Sequence, residues 1–134
     1  MKIASRILFV LLFTLSISAQ KQFSVLVDVK GDRNLAENLS SHINREIRSL
    51  GDVRISDNGE LGIWVVVEHD ISKTGESLGF SASAVFTEKI ICKGKVYDNY
   101  LSVVLLNGSA SDLPKIAETI VTRFDVKVLS KKRK

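Results

Sequence analysis

The run Ile63-Trp64-Val65-Val66-Val67 decides the fold of this chain. It lies inside a longer segment, residues 61–70, whose apolar side chains occupy successive positions and not only every second one. Because side chains of a strand alternate between the two faces of its sheet, this pattern predicts a strand with apolar side chains on both faces. Such a strand belongs in the middle of a sheet and not at its edge.

Further strands are predicted on either side of this central segment. Each is marked by alternation of apolar and polar residues or by a short β-branched run. They cover residues 23–29, 53–55, 80–86 with an extension to 91, and 100–106. Turn sequences separate them at Asp57-Asn58-Gly59, Lys93-Gly94-Lys95 and Asn107-Gly108, whereas the polar residues 72–79 are predicted to form a loop.

Two amphipathic helices complete the pattern. The first, residues 34–50, has one apolar stripe at helical spacing; Asn34 or Asp32 is its predicted N-terminal cap, and Gly51 follows where a left-handed cap is favoured. The second begins near Asp112, has Pro114 in its first turn, and carries a wide apolar stripe as far as residue 128. The residues after 129 are predicted to be frayed and solvated.

The predicted order of elements is therefore β-α-β-β-β-β-α. The first β-α-β unit is expected to be a right-handed crossover between parallel strands, and the later strands are expected to be antiparallel hairpins. Both helices share one face of the sheet, so the predicted fold class is α+β: a two-layer sandwich with a mixed four- to five-stranded sheet. In element order the chain resembles small envelope α/β modules such as the N-terminal domain of the TolB translocation protein, which implies a fold and not a function.

The first nineteen residues have the layout of a secretory signal peptide. Lys2 and Arg6 form a basic start, residues 7–15 are an apolar run too short to span a bilayer, and residues 16–19 supply small side chains for cleavage. The predicted organisation is a signal peptide at residues 1–19, a single α+β domain at 20–130 and a basic tail at 131–134. The mature protein is expected to be exported to the periplasm or secreted, and to be soluble.

The charge of the chain is concentrated at its ends. Of 19 Lys and Arg residues, two lie in the predicted leader and four are Lys131, Lys132, Arg133 and Lys134, which leaves 13 cations against 15 acidic residues in the domain. A net charge of −2 and the absence of a basic stripe argue against nucleic acid as a partner. The four terminal cations are expected to solubilise the chain, or to make a weak contact with an anionic surface.

No motif in the sequence indicates catalysis, a metal or a cofactor. Cys92 is the only cysteine, so no internal disulfide can form; it is predicted to be a small buried structural side chain, with pairing to another chain as the alternative. His69 lies between Glu68 and Asp70, but strand alternation should point it away from both, which argues against a zinc site. Asn38 and Asn107 begin glycosylation-like triplets, which matter only in a eukaryotic source.

The sheet face that the helices leave open is the candidate functional surface. The face under the helices is predicted to carry Val25, Val27, Ile63, Val65, Val67, Phe80, Ala82, Ala84, Phe86, Leu101, Val103 and Leu105. The opposite face is then predicted to carry Leu26, Trp64, Val66, Val85, Tyr100, Val104 and Leu106. An exposed apolar area of this size usually marks an interface. The alternatives are a different strand register, or a loop at residues 72–79 folded over this face.

These observations favour a non-enzymatic binding or assembly module that acts outside the cytosol through this amphipathic face. The expected partner is another protein or a second copy of the chain. The alternative is a carrier that holds a small apolar ligand on the sheet face or between helices and sheet. An enzyme is the least favoured class, because no convergent set of titratable groups is visible.

Overall fold

Five strands form one mixed sheet in the computed structural model, which describes residues 21–134. The predicted signal peptide, residues 1–19, lies outside the described residues. The elements are β1 (Phe23–Gly31), α1 (Arg33–Ser49), β2 (Val53–Ile55), β3 (Leu61–Ile71), β4 (Ser77–Cys92), β5 (Lys95–Gly108), a 3₁₀ turn (Ala110–Asp112), α2 (Leu113–Phe124), a π-helical turn (Asp125–Leu129) and α3 (Ser130–Lys132).

The strand order is β2-β1-β3-β4-β5, so the predicted central segment is the middle strand. β1 pairs in parallel with β2 and with β3, whereas β3, β4 and β5 are antiparallel neighbours. Together with α1 and α2, this arrangement confirms the predicted α+β class with a mixed five-stranded sheet, and the sheet is open.

The first helix begins and ends as its sequence indicates. Asp32 is the N-terminal cap and its side chain accepts a hydrogen bond from the Leu35 amide, so the cap is Asp32 and not Asn34. At the other end, Gly51 adopts a φ of +75°, the left-handed conformation that glycine takes at lowest cost. These caps fix the α1 stripe of Leu35, Leu39 and Ile43 over the sheet.

The core lies between this stripe, the buried face of α2 and one face of the sheet. Its fully buried side chains include Val25 on β1, Ile63 and Val65 on β3, and Phe86 on β4. Phe86 meets Phe124 of α2 edge to face, with ring centroids 5.4 Å apart. The predicted helix-facing residues of β1, β3 and β4 are therefore correctly placed.

The prediction for β5 is wrong at four positions because of a bulge. Phe86 pairs with Ser102 and Thr87 pairs with Tyr100, so Leu101 is an extra residue in β5. Beyond it, Leu106 pairs with Ala82 and Val104 pairs with Ala84, which places both against the core. Val104 and Leu106 therefore belong under the helices, and Val103 and Leu105 take their places on the open side.

The last helix continues further than predicted. A π-helical turn buries the consecutive residues Val128 and Leu129, and helical structure extends to Lys132. Arg133 then binds the Asp52 carboxylate through Nε and one terminal nitrogen at 2.6 and 2.8 Å, and reaches Asp125 at 2.6 Å. We call the set Asp52, Asp125 and Arg133 the clasp. The prediction of a frayed, solvated tail is wrong here, because two of its cations are paired within the chain: Arg133 in the clasp and Lys132 with Glu88.

The paired cations shift the titration of their acidic partners. The hydrogen bond from Arg133 lowers the pKa of Asp52, against an opposing effect of burial. Lys132 in the same way lowers the pKa of Glu88, with help from the Asn99 amide. Both carboxylates therefore stabilise the folded chain in their ionised form.

β4 and β5 form a long hairpin that extends beyond the rest of the sheet. Its turn is Lys93-Gly94, with φ values of 49° and 75°, as the turn signal predicts. β3 pairs with β4 only as far as Glu88, so the last four residues of β4 have β5 as their strand partner. Cys92 lies at this end and is exposed, so the prediction of a buried thiol is wrong.

Candidate functional site

One face of the sheet is not covered by either helix, and we call it the open face. Its apolar side chains are Leu26, Trp64, Val66, Val85, Tyr100, Val103 and Leu105. Val66 is 47% exposed, Tyr100 59%, Val103 46% and Leu105 76%. Leu26, Trp64 and Val85 are half-buried among them. Five of the seven residues predicted for this face are present, and Val103 and Leu105 replace Val104 and Leu106.

Trp64 lies close against the sheet. Its indole Nε1 donates a hydrogen bond to Thr87 Oγ1 at 3.0 Å, and Thr87 itself is buried. Gly62 lies beneath this pair: a Cβ added there would be 2.4 Å from Thr87 Oγ1 and 2.6 Å from Trp64 Nε1. The missing side chain of Gly62 therefore leaves the space in which the indole lies, and the ring is held in a fixed orientation.

Polar side chains border the apolar part of the open face. Ser81 donates a hydrogen bond to Asp70 at 2.8 Å, and Lys30 forms an ion pair with Asp28 at 3.1 Å. Asp28 and Lys30 lie on β1, whereas Val103 and Leu105 lie on β5. The open face is thus charged toward β1 and apolar toward β5, an arrangement that suits a directional contact with another protein.

The remaining candidates from the sequence do not join this surface. His69 is on the opposite side from Asp70, as strand alternation predicts, and its Nε2 is 3.7 Å from Asp32 Oδ1 at the start of α1. Within residues 21–134, no three His, Cys, Asp or Glu side chains are grouped as a metal ion would require. The segment after Asn107 is a helix entry in which Ser109 and Asp112 cap each other, and the Ser109 amide lowers the pKa of Asp112.

The cavities of the described residues are surface grooves. One of about 260 Å³ runs between β5 and the last helix and is lined by residues 102–106 together with Thr119, Arg123 and Lys127. The space between helices and sheet, where a carrier would enclose an apolar ligand, is filled by large buried side chains such as Phe80, Phe86 and Phe124. This arrangement favours contact at the surface over enclosure of a ligand.

Sequence reasoning missed three features of this region. Val103 and Leu105 lie on the open face because of the bulge at Leu101, which no sequence signal marks. Gly62 does carry a sequence signal, because a glycine inside a strand rich in β-branched residues indicates a close approach of other atoms. Arg123 and Lys127 line the β5 groove, and their four-residue spacing is a signal that the wide apolar stripe of the helix obscured.

Comparisons with known proteins bear on the fold alone. No protein-family model and no curated protein matches the sequence. A solved structure from Xanthomonas campestris, described by the family model DUF330, aligns with a TM-score of 0.51 and 11% identity over 86% of this chain and 91% of that one. This alignment supports the same arrangement of helices and strands.

Two other solved structures align more loosely. The PelC dodecamer from Paraburkholderia phytofirmans has a TM-score of 0.44 and 14% identity over 78% of this chain and 86% of that one. Rare lipoprotein B from Shewanella oneidensis has a TM-score of 0.36 and 11% identity over 80% of this chain and 98% of that one.

In residues 21–134, no helix has the length and apolar character needed to cross a membrane.

Proposed function

We propose that this chain is an exported, non-enzymatic binding or assembly module whose protein partner docks on the open face. The observation that carries the proposal is the exposure of Val66, Tyr100, Val103 and Leu105 on one continuous sheet face. Burying one such side chain in a contact contributes roughly 1.5–3 kcal/mol, so a few of them are enough to hold a partner.

The half-buried aromatic residue at the centre of this surface supports the proposal. Trp64 is fixed by its hydrogen bond to Thr87, so little side-chain entropy remains to be lost on binding. Pre-oriented aromatic side chains are frequent anchors of protein interfaces. The leader-like sequence of residues 1–19 supports action outside the cytosol.

A matched pair of variants tests the open face. Leu105→Ser and Leu106→Ser make the same change at neighbouring positions, but Leu105 is on the open face and Leu106 packs against the core. We expect Leu105→Ser to leave the melting temperature unchanged and to weaken partner binding. Leu106→Ser should instead cost about 1–2 kcal/mol of unfolding free energy.

Site-specific photo-crosslinking in the native host identifies the partner. A photoreactive amino acid at Leu105 should give an adduct with one protein species, and the adduct should decrease when Trp64→Ala is added. The same reagent at Arg48, exposed on α1, is the control. An adduct of twice the chain mass would make a second copy the partner. Equal labelling at the two positions would refute the proposal.

A further inference from the structure

β5 is an edge strand whose part after the Leu101 bulge lacks the usual protection. It is the outermost strand of the sheet, and within residues 21–134 only β4 pairs with it. From Ser102 to Gly108 its pairing with β4 is regular, and this segment contains no charged residue and no proline. Natural sheets usually protect such edges with charges, prolines or covering elements, because unpaired N–H and C=O groups readily accept another strand.

The groove beside this edge carries positive charge. Arg123 and Lys127, on the exposed side of the last helix, line it together with Thr119 and residues 102–106 of β5. Neither cation forms an ion pair with an acidic side chain of residues 21–134. A strand added to β5 would direct every second side chain toward this groove and the others toward Val103 and Leu105 on the open face.

We propose that an extended segment of a partner protein, with alternating apolar and acidic side chains, adds to β5 as a sixth strand. Its main chain would form hydrogen bonds with the unpaired N–H and C=O groups of β5. Its apolar side chains would extend the open face, and its acidic side chains would pair with Arg123 and Lys127. The inference rests on the proposed function, because it states where and in what form the partner of the open face binds.

The charge of the groove argues against a second copy as the added strand. Antiparallel pairing of β5 with its own copy requires a twofold axis perpendicular to the sheet, which puts the helices of both copies on the same side. Arg123 and Lys127 of both copies would then line one shared groove. Like charges so placed oppose the pairing, whereas an acidic segment is attracted.

Synthetic peptides test this inference directly. Two fluorescent eight-residue peptides are compared, one alternating Val with Glu and the other alternating Val with Lys. At low salt we expect the Glu peptide to bind the mature chain about tenfold more tightly, as two added opposite-charge pairs predict. The double variant Arg123→Glu/Lys127→Glu should reverse the preference, and it is expected to fold because both side chains are exposed.

Proline variants test whether the main chain of β5 makes the contact. Along an edge strand, the N–H groups of consecutive residues point alternately toward the neighbouring strand and away from it. Of Val103→Pro and Val104→Pro, one therefore removes an N–H that points away from β4 and leaves the hydrogen bonds between β4 and β5 intact. The variant that retains the wild-type melting curve should lose peptide binding. If that variant still binds, or if both peptides bind equally and ignore the charge reversal, the proposal is wrong.

The two proposals fail in distinguishable ways. If crosslinking at Leu105 captures a partner that the charge reversal does not affect, the open face stands and strand addition is refuted. If the peptides bind as expected but Leu105 captures nothing, strand addition stands and the open face as a partner site is refuted. Sedimentation that shows a β5-dependent dimer of the wild type would also refute the acidic partner strand.

Discussion

Trp64 and Thr87 are joined across two neighbouring strands by a hydrogen bond from the indole Nε1 to the threonine hydroxyl, 3.0 Å long. Both residues lie on the open face, and the gap left by Gly62 accommodates them. The orientation of the indole therefore depends on a glycine two residues before it in the same strand.

A double-mutant cycle measures this dependence. Gly62→Ala should lower the unfolding free energy by about 1–3 kcal/mol, because the new methyl group overlaps the indole and the Thr87 hydroxyl. In a Trp64→Ala background the same change should cost at least 0.5 kcal/mol less, a coupling typical of residues in contact (about 0.5–3 kcal/mol). Urea unfolding followed by circular dichroism gives all four values. Equal costs in the two backgrounds would show that the glycine does not position the ring.

The clasp predicts a loss of stability in acid. Because Arg133 lowers the pKa of Asp52, the contribution is complete above the unfolded-state pKa of about 3.9 and disappears as the pH falls through the lower folded-state pKa. Arg133→Gln should therefore destabilise the chain at pH 7 by about 1 kcal/mol, a modest value because the Arg133 side chain is 36% exposed. The difference in unfolding free energy between this variant and the wild type should disappear as the pH falls below 4.

Lys131→Gln is the matched control for the clasp. Lys131 is exposed and makes no ion pair with residues 21–134, so removing its charge should leave both the stability at pH 7 and its pH dependence unchanged. Thermal melts of the three proteins from pH 2.5 to 7 decide the matter. A constant gap between Arg133→Gln and wild type across this range would contradict the assigned role of Asp52.

Because Cys92 is exposed, its substitution should have little effect on the fold. Cys92→Ser should alter the unfolding free energy by less than about 0.5 kcal/mol, as is usual for surface positions, and should leave partner binding intact. The folded wild type should react with a thiol reagent as fast as the urea-unfolded chain. A thiol protected in the folded state, or a loss of binding in the folded variant, would restore a structural or intermolecular role.

Export is tested by the mass of the mature protein. The order of charge, apolar run and small residues at positions 2–19 predicts a chain that begins at Ala19 or Gln20. Intact-mass measurement of the exported protein gives the first residue. A membrane-bound product that keeps residues 1–15 would identify this segment as an anchor.

The middle of the sheet was predictable because its patterns are redundant. Five successive apolar residues in β3 mark a central strand, and the alternation in β1 and β4, interrupted only at Leu26 and Val85, assigns their faces. The C-terminal cap of α1 was predictable from Gly51, whereas the sequence left its N-terminal cap open between Asn34 and Asp32, and the structure shows Asp32. The central strands and the first helix of the core therefore follow largely from periodicity.

The outer strand was not predictable for a reason that lies in its composition. Val103-Val104-Leu105-Leu106 places a Val and a Leu on each face in either register, so hydrophobic pattern carries no information about which pair is buried. The bulge at Leu101 decides it, through main-chain pairing with Phe86 and Thr87. The ordered C-terminal residues were not predictable either, because the ion pair of Arg133 with Asp52 joins residues 81 positions apart in the sequence.

Asp52 binds both ends of the described chain, since its main-chain oxygen accepts from the Phe23 amide and its carboxylate binds Arg133. Lys21 and Arg133 line one cavity at that corner. The two ends of the described chain thus lie close together. A short linker could join them, and new termini could be opened in the exposed turn at residues 73–75. The resulting circular permutant should retain every strand pairing. Any fusion or tether attached at this corner would lie beside β2, at the opposite edge of the sheet from β5.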